Sequence, residues 1–141
     1  MTVTIQEATD FDACRALRIE VFVKEQGIAM EDEIDDLDNQ CTHFLACDEG
    51  GTPVGTARVY EVGDVGKIGR VCVLASHRGT GLGAKLITHC IDVLGTRPRL
   101  RTARLGSQDH AVGFYERLGF KVVGDVYLDA GIPHYDMERA L

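Results

Sequence analysis

Residues Ile68 to Leu94 read IGRVCVLASHRGTGLGAKLITHCIDVL. The stretch opens as a short apolar β-type run (Ile68, Val71, Val73, Leu74) and passes a glycine-rich turn. It then becomes a helix with Leu82, Leu86, Ile87, Cys90, Ile91 and Leu94 on one face. In the turn, Arg78-Gly79-Thr80-Gly81-Leu82-Gly83, three glycines alternate with two other residues behind a basic one. Glycines spaced this closely let backbone N–H groups point one way, and a helix starting near Leu82 adds its positive dipole end, roughly half a charge. Strand, glycine turn and helix N-terminus together form a seat for a phosphate or pyrophosphate.

Upstream of this unit, Thr2 to Glu7 alternates as a first strand, and Thr9 or Asp10 can cap a helix running to about Lys24. Phe11, Cys14, Leu17, Arg18, Val21 and Phe22 recur on it at helical spacing, and Gly27 stops it. An acidic segment, expected as a short helix over Glu31 to Leu37, leads to a second strand at His43 to Cys47. A turn at Asp48 to Gly51 precedes a third strand, Thr52 to Val62, and Gly63 to Gly66 turns into the fourth, Lys67 to Leu74. Downstream, Gly95 ends the central helix. Leu100 to Leu105 is a fifth strand and Asp109 to Leu118 a short helix closed by Gly119. Phe120 to Asp129 and Pro133 to Arg139 are two further strands around Ala130-Gly131. The order predicts an α+β fold, a mixed central sheet of about seven strands flanked by helices, in one domain spanning residues 1–141.

Composition narrows the function. The chain has 141 residues and a formal charge of −7, which argues against nucleic acid, since phosphate backbones need a basic face. No apolar run is long enough to span a membrane, and the N-terminus lacks the basic and hydrophobic regions of a secretory signal. A cytoplasmic location is the expectation, without nucleic-acid or membrane partners. The five cysteines are scattered with no C-x-x-C pair, and the five histidines form no ligand pair at helical spacing. Neither a metal site nor a disulfide is expected. Glu31 to Asp38 carries six carboxylates in eight residues. Such a run ordinarily forms a solvated face, but it also could attract a cationic substrate.

Familiar nucleotide motifs do not fit the turn. The P-loop pattern G-x-x-x-x-G-K-[ST] has no match at Gly79 to Leu86. Gly79, Gly81 and Ala84 formally satisfy G-x-G-x-x-A, but that motif belongs in a first βα turn with an acidic residue about 20 positions on. Here the turn lies past mid-chain and is followed at that distance by Arg99 to Arg104. With Arg78 in front, the turn instead resembles the [RQ]-x-x-G-x-[GA] signature of the GNAT N-acetyltransferase superfamily. Gln108 to Phe120, QDHAVGFYERLGF, resembles the family's A-x-x-F-Y-x-x-x-G-F after the fifth strand. Leu17 to Gln26, Glu33 to Asp38 before His43, and Gly131 to Met137 resemble the small bacterial subgroup related to ElaA and YjcF. The resemblance covers nearly the whole chain and implies the single-domain GNAT fold.

It also implies acetyl-CoA as donor and no metal. The pyrophosphate would sit on the N–H groups of Arg78, Gly79, Thr80, Gly81, Leu82 and Gly83, and the backbone of Val71, Cys72 and Val73 would hold the pantetheine arm. Gln108 stands near where many relatives place a cofactor-contacting asparagine. Acetyl transfer needs a neutral amine, a stabilised oxyanion and a stabilised leaving thiolate. An alkyl ammonium is neutral only about once in 10³ molecules at pH 7, so a base is valuable. By its motif position Tyr115 is the candidate acid. Glu33 and His134 are the leading candidate bases, with Asp35, Asp38 and His43 nearby in the sequence; Glu25-Gln26 could bind acceptor or cap structure.

The implied activity is transfer of an acetyl group directly to an amine of a small molecule or a protein. An amino-sugar phosphate acceptor is the enzymatic alternative and would need basic residues in the cleft. A non-catalytic acyl-CoA sensor is the other, although Tyr115 favours catalysis. Dimers are common in the superfamily, so a homodimer is compatible with the resemblance.

Overall fold

A computed structural model describes residues 2–141. Its seven strands are β1 (Thr4–Glu7), β2 (Thr42–Cys47), β3 (Pro53–Val62), β4 (Val65–Val73), β5 (Thr102–Gln108), β6 (Lys121–Asp129) and β7 (Ile132–Ala140). They form one sheet in the order β1-β2-β3-β4-β5-β7-β6. All neighbours are antiparallel except β4 and β5, the pair joined by a crossover helix, α3 (Leu82–Gly95). The mixed α+β sheet expected from the sequence is therefore present.

Both faces of the sheet are covered, as the successive apolar residues of β2 require. Phe44 and Ala46 join the large core with Leu82, Leu86, Ile87, Cys90, Ile91 and Leu94 of α3, the six residues whose spacing marks one helix face. Leu45 points the other way and packs with Leu17, Val21 and Cys72 under the first helix. At Gly66 a Cβ would lie 2.7 Å from Leu94, so a side chain there would push α3 off β4.

Two elements differ from expectation in ways that matter for the site. The first helix, α1 (Phe11–Arg18), begins where Asp10 accepts a hydrogen bond from the Ala13 N–H, but does not continue at α pitch to Lys24. From Ile19 to Glu25 it widens to a π-helix, and the Gln26 N–H bonds to the Val21 carbonyl five residues back. The acidic segment is not one helix over Glu31 to Leu37. A single turn, α2 (Met30–Glu33), is followed by extended chain and a 3₁₀ turn at Asp38–Gln40. The segment is broken because Asp35 bonds the Leu37 N–H and pairs with Arg58 instead of continuing a helix. The later helix is also shorter than expected: Asp109–Ala111 is 3₁₀ and α4 spans Val112–Glu116.

The sheet splits at its centre. β4 and β5 pair only from Val65↔Thr102 to Ile68↔Leu105, so Gly69–Val73 and Gly106–Gln108 diverge. On the β3 side, Thr56 faces Cys72 and Arg58 faces Gly69, which leaves Ala57 opposite both Arg70 and Val71. This is a β-bulge, with Arg70 at φ 50°, and it bends β4 away from β5. A charged residue inside an apolar strand is thus set where the strand is irregular.

Candidate active site

The split opens a cavity of about 400 Å³, the size of a small-molecule site. Its walls come from Phe22 and Gln26 on the first helix, Gly69 to Val71 on β4, Gly106 and Gln108 on β5, Tyr115 on α4 and His134 on β7. It thus connects the face carrying the first helix with the face carrying α4.

At one end, β4 runs through a 3₁₀ turn, Ala75–His77, into the glycine loop. Gly79 and Gly81 have φ of 75° and 84°, and a Cβ at either would meet nothing within 4 Å. The outer side of the loop is open. Gly81 is the N-cap of α3 and no side chain caps the first turn, so its N–H groups are available to an anion at the positive end of a 14-residue helix. The Thr80 hydroxyl turns inward and donates to the His77 carbonyl. Arg78 also turns away from the loop: Nε donates to the Val73 carbonyl at 3.0 Å, and the guanidinium pairs with Glu25. That contact ties the end of the first helix to the end of β4.

Tyr115 is half-buried and packs edge-on against Phe114 and Phe120. Its hydroxyl has no hydrogen-bond partner among the described residues, and burial pushes its pKa up to about 12. The phenol is therefore protonated at neutral pH and has a free donor beside the cavity.

Register across β5, β7 and β6 aligns further groups. Gln108 faces His134, which faces Tyr127 on β6. His134 Nδ1 lies 2.7 Å from the Ile132 carbonyl, which can only accept, so Nδ1 carries the proton and Nε2 of the neutral ring is left with its lone pair. Tyr127 stacks on His134 and donates to Asp136 Oδ1 at 2.8 Å. A Cβ on Gly106 would sit 2.6 Å from that Tyr127 oxygen, so the glycine admits the phenol over the strand. Gln108 bridges the cleft by donating to Gln26 Oε1 at 3.0 Å, while accepting from His110 at 2.7 Å. Gln26 is therefore a cavity residue rather than a simple cap.

Glu33 is placed differently from its expected role as a base. It is 2% exposed and both carboxylate oxygens are held by Arg18, at 2.5 and 3.2 Å. Protonating it would strip a buried cation of one of its two carboxylate partners, which corrects the expectation for this residue. Arg18 also bonds both oxygens of Asp38, Arg58 bonds Asp35 and Asp38, and Arg70 bonds Asp35. Hydrogen bonds from Arg58, the largest influence, hold the Asp35 carboxyl down at about 2. Half the carboxylates of the acidic run thus neutralise buried arginines and are neither a solvated face nor a free lure for cations. Asp38, Cys41 and His43 bring ligand atoms within 4.8 Å of one another, but the two guanidinium groups on Asp38 oppose a metal there. The cysteines are free thiols, with Cys14, Cys72 and Cys90 buried.

Sequence reading missed Arg58, Arg70, Tyr127 and Asp136 as cavity residues. The signal for Arg70 was present: an arginine interrupts the apolar run Ile68 to Leu74. Arg58 likewise interrupts an apolar strand.

Residues 7–141 match the family model described as Acetyltransferase (GNAT) domain. The chain is 40% identical over 124 residues to the N-acetyltransferase YjcF of Bacillus subtilis, covering 87% of each chain. It is 34% identical over 127 residues to the protein ElaA of Escherichia coli, covering 87% of this chain and 82% of that one. The crystal structure of ElaA superposes with a TM-score of 0.87, covering 98% and 99% of the two chains at 28% identity. An acyl-CoA N-acyltransferase from Pseudomonas aeruginosa gives 0.85 at 31% identity, covering 99% of both. The chain belongs to the GNAT acetyltransferase family. It is an acyltransferase with the single-domain GNAT fold, and no helix among its described residues is long and apolar enough to cross a membrane.

Proposed function

We propose that the protein transfers an acetyl group from acetyl-CoA directly to a primary amine bound in the split between β4 and β5. The observation that carries this reading is Tyr115. Its free hydroxyl, kept protonated by burial, lines the same cavity as the unpaired backbone of the β4 bulge. A binding module has no use for a hydroxyl placed this way.

The donor's pyrophosphate rests on the amides of Gly79 to Gly83, whose open side accommodates it. The divergent backbone of Val71 to Val73, no longer paired to β5, receives the pantetheine arm and the thioester carbonyl. An incoming ammonium gives one proton to His134 Nε2, directly or through water. The neutral nitrogen attacks the thioester carbon, forming the C–N bond, and the oxyanion is held by β4 amides. As the nitrogen gives its second proton to water, the C–S bond breaks, and the sulfur leaves as a thiolate hydrogen-bonded to Tyr115 and then takes up a proton from solvent. At a pKa of about 12 against about 8.5 for a thiol, Tyr115 acts chiefly as a hydrogen-bond donor to the thiolate. The products are the N-acetylated amine, coenzyme A thiol and one proton. Glu33 and Asp38 hold Arg18 and take no proton.

Incubation with acetyl-CoA and a panel of primary amines tests the reading. Thiol release must match acetylated amine, identified by mass spectrometry. Tight acetyl-CoA binding with no acetylated amine from any acceptor would instead mark a sensor.

A further inference from the structure

We propose that the acceptor carries, besides its amine, an anionic oxygen group (a carboxylate or a phosphate) received by the Nε–H groups of Arg58 and Arg70 on the β3–β4 wall of the cavity. This rests on the amine-acetylating reading above and names the acceptor's chemical class.

The wall contains Arg58, Tyr60, Lys67, Gly69 and Arg70. The Arg58 side chain is 4% exposed. Its Nη1 and Nη2 are held by Asp35 and Asp38, yet its buried Nε has no partner among the described residues. That Nε lies over Gly69, the residue paired with Arg58 in β4: a Cβ on Gly69 would stand 3.8 Å from it. Arg70, displaced by the bulge, repeats the pattern. Only Nη2 is bonded, to Asp35 Oδ2 and to the carbonyls of Asp32 and Glu33, and Nε is buried without a partner. Both arginines line the cavity, each with an Nε–H that no described residue accepts, and an oxygen anion, which only accepts, matches such charge-assisted donors.

Three guanidinium groups share three carboxylates, Glu33, Asp35 and Asp38, and Asp35 Oδ2 serves both Arg58 and Arg70. Burial first, and the neighbouring Arg58 cation second, push the pKa of Arg70 down. Lys67, on the same wall, has no ion pair among the described residues. The opposite wall carries Asp129, Asp136 and the lone pair of His134, and the one arginine there, Arg104, is paired with Glu138. A ligand with an ammonium at one end and an anion at the other is thus aligned with its nitrogen towards His134. Of the acidic run only Asp32 and Glu33 line the cavity, and Glu33 is already paired with Arg18.

The test compares kcat/KM within two pairs: glucosamine 6-phosphate against glucosamine, and 4-aminobutyrate against butylamine. At least one anionic member should exceed its uncharged partner by about tenfold or more, the range of charge-assisted hydrogen bonds. The pair that responds identifies phosphate or carboxylate. In Arg70→Gln that ratio should fall towards one, with melting followed by circular dichroism to show the variant is folded. If it does not fold, Arg70→Lys, which keeps the charge but lacks the Nε–H, should cut the ratio about threefold or more. Equal or faster turnover of the uncharged member in both pairs overturns the inference and leaves acetyl transfer standing. If none of the four is acetylated, inorganic phosphate and acetate are titrated into protein saturated with coenzyme A, so that the loop of α3 is already filled. Binding of either that is lost in Arg70→Gln supports the inference; no binding of either overturns it.

Discussion

Removing one oxygen from Tyr115 separates catalysis from folding. In Tyr115→Phe the ring keeps its contacts with Phe114 and Phe120, and no hydrogen bond is broken, because the hydroxyl has no partner among the described residues. The fold should therefore change by less than about 0.5 kcal/mol, within a degree or two in Tm. The leaving thiolate, in contrast, loses its donor. A hydrogen bond to a charged group is worth about 1.5–3 kcal/mol, which at about 1.36 kcal/mol per decade is a 10- to 10²-fold loss in kcat. The upper end is expected here, since the half-buried phenol sits where water competes poorly. KM for acetyl-CoA should change little, because the proposed pyrophosphate seat on the loop of α3 is untouched. The assay is thiol release at saturating donor, with a single-turnover experiment to establish that chemistry limits the rate. A kcat within twofold of the parent under that condition would remove Tyr115 from the mechanism. A large drop in Tm would show that the hydroxyl is structural.

Three further outcomes are expected. Glu33→Gln leaves Arg18 with Asp38 alone and should destabilise the fold by about 3 kcal/mol in urea denaturation; a loss below about 1 kcal/mol would refute the pairing role. His134→Ala should lower kcat/KM by about 10²-fold at pH 7, and the deficit should shrink as pH rises towards the amine's own pKa near 10.4, where no base is needed; a deficit constant with pH counts against His134 as base. Because Asp35 is held down at about 2 in the folded state against about 3.8 unfolded, its contribution to stability is fully present above pH 4 and is lost as pH falls from there towards 2. Asp35→Asn should flatten that limb of the stability curve, and an unchanged acid limb would contradict the Arg58–Asp35 pairing.

Much of this was legible locally. The period of α3 named its buried face residue by residue, and the alternation of glycines at Gly79 to Gly83 placed the helix N-terminus, because both depend only on neighbours within a few positions. The Phe114-Tyr115 pair made Tyr115 a candidate acid only through its resemblance to a family, since spacing alone does not distinguish it from a core aromatic. Boundaries were least legible where long-range partners compete with propensity. Asp35, drawn to Arg58, ends α2 early, and the first helix widens before Gln26 reaches the cleft.

The sequence by itself determined the element order, the open glycine turn at the N-terminus of α3 and the face on which the crossover helix packs. Only the tertiary structure decided which charges are free. Arg18 and Glu33 are 15 positions apart, Arg58 and Asp35 are 23, and Arg70 and Asp35 are 35. No local pattern joins such residues. Folding brings them together, converting half the carboxylates of an acidic run into ion-pair partners and leaving two buried arginine N–H groups without a partner among the described residues. A charge's chemistry is set by what is packed against it, and that is known only once the chain has closed on itself.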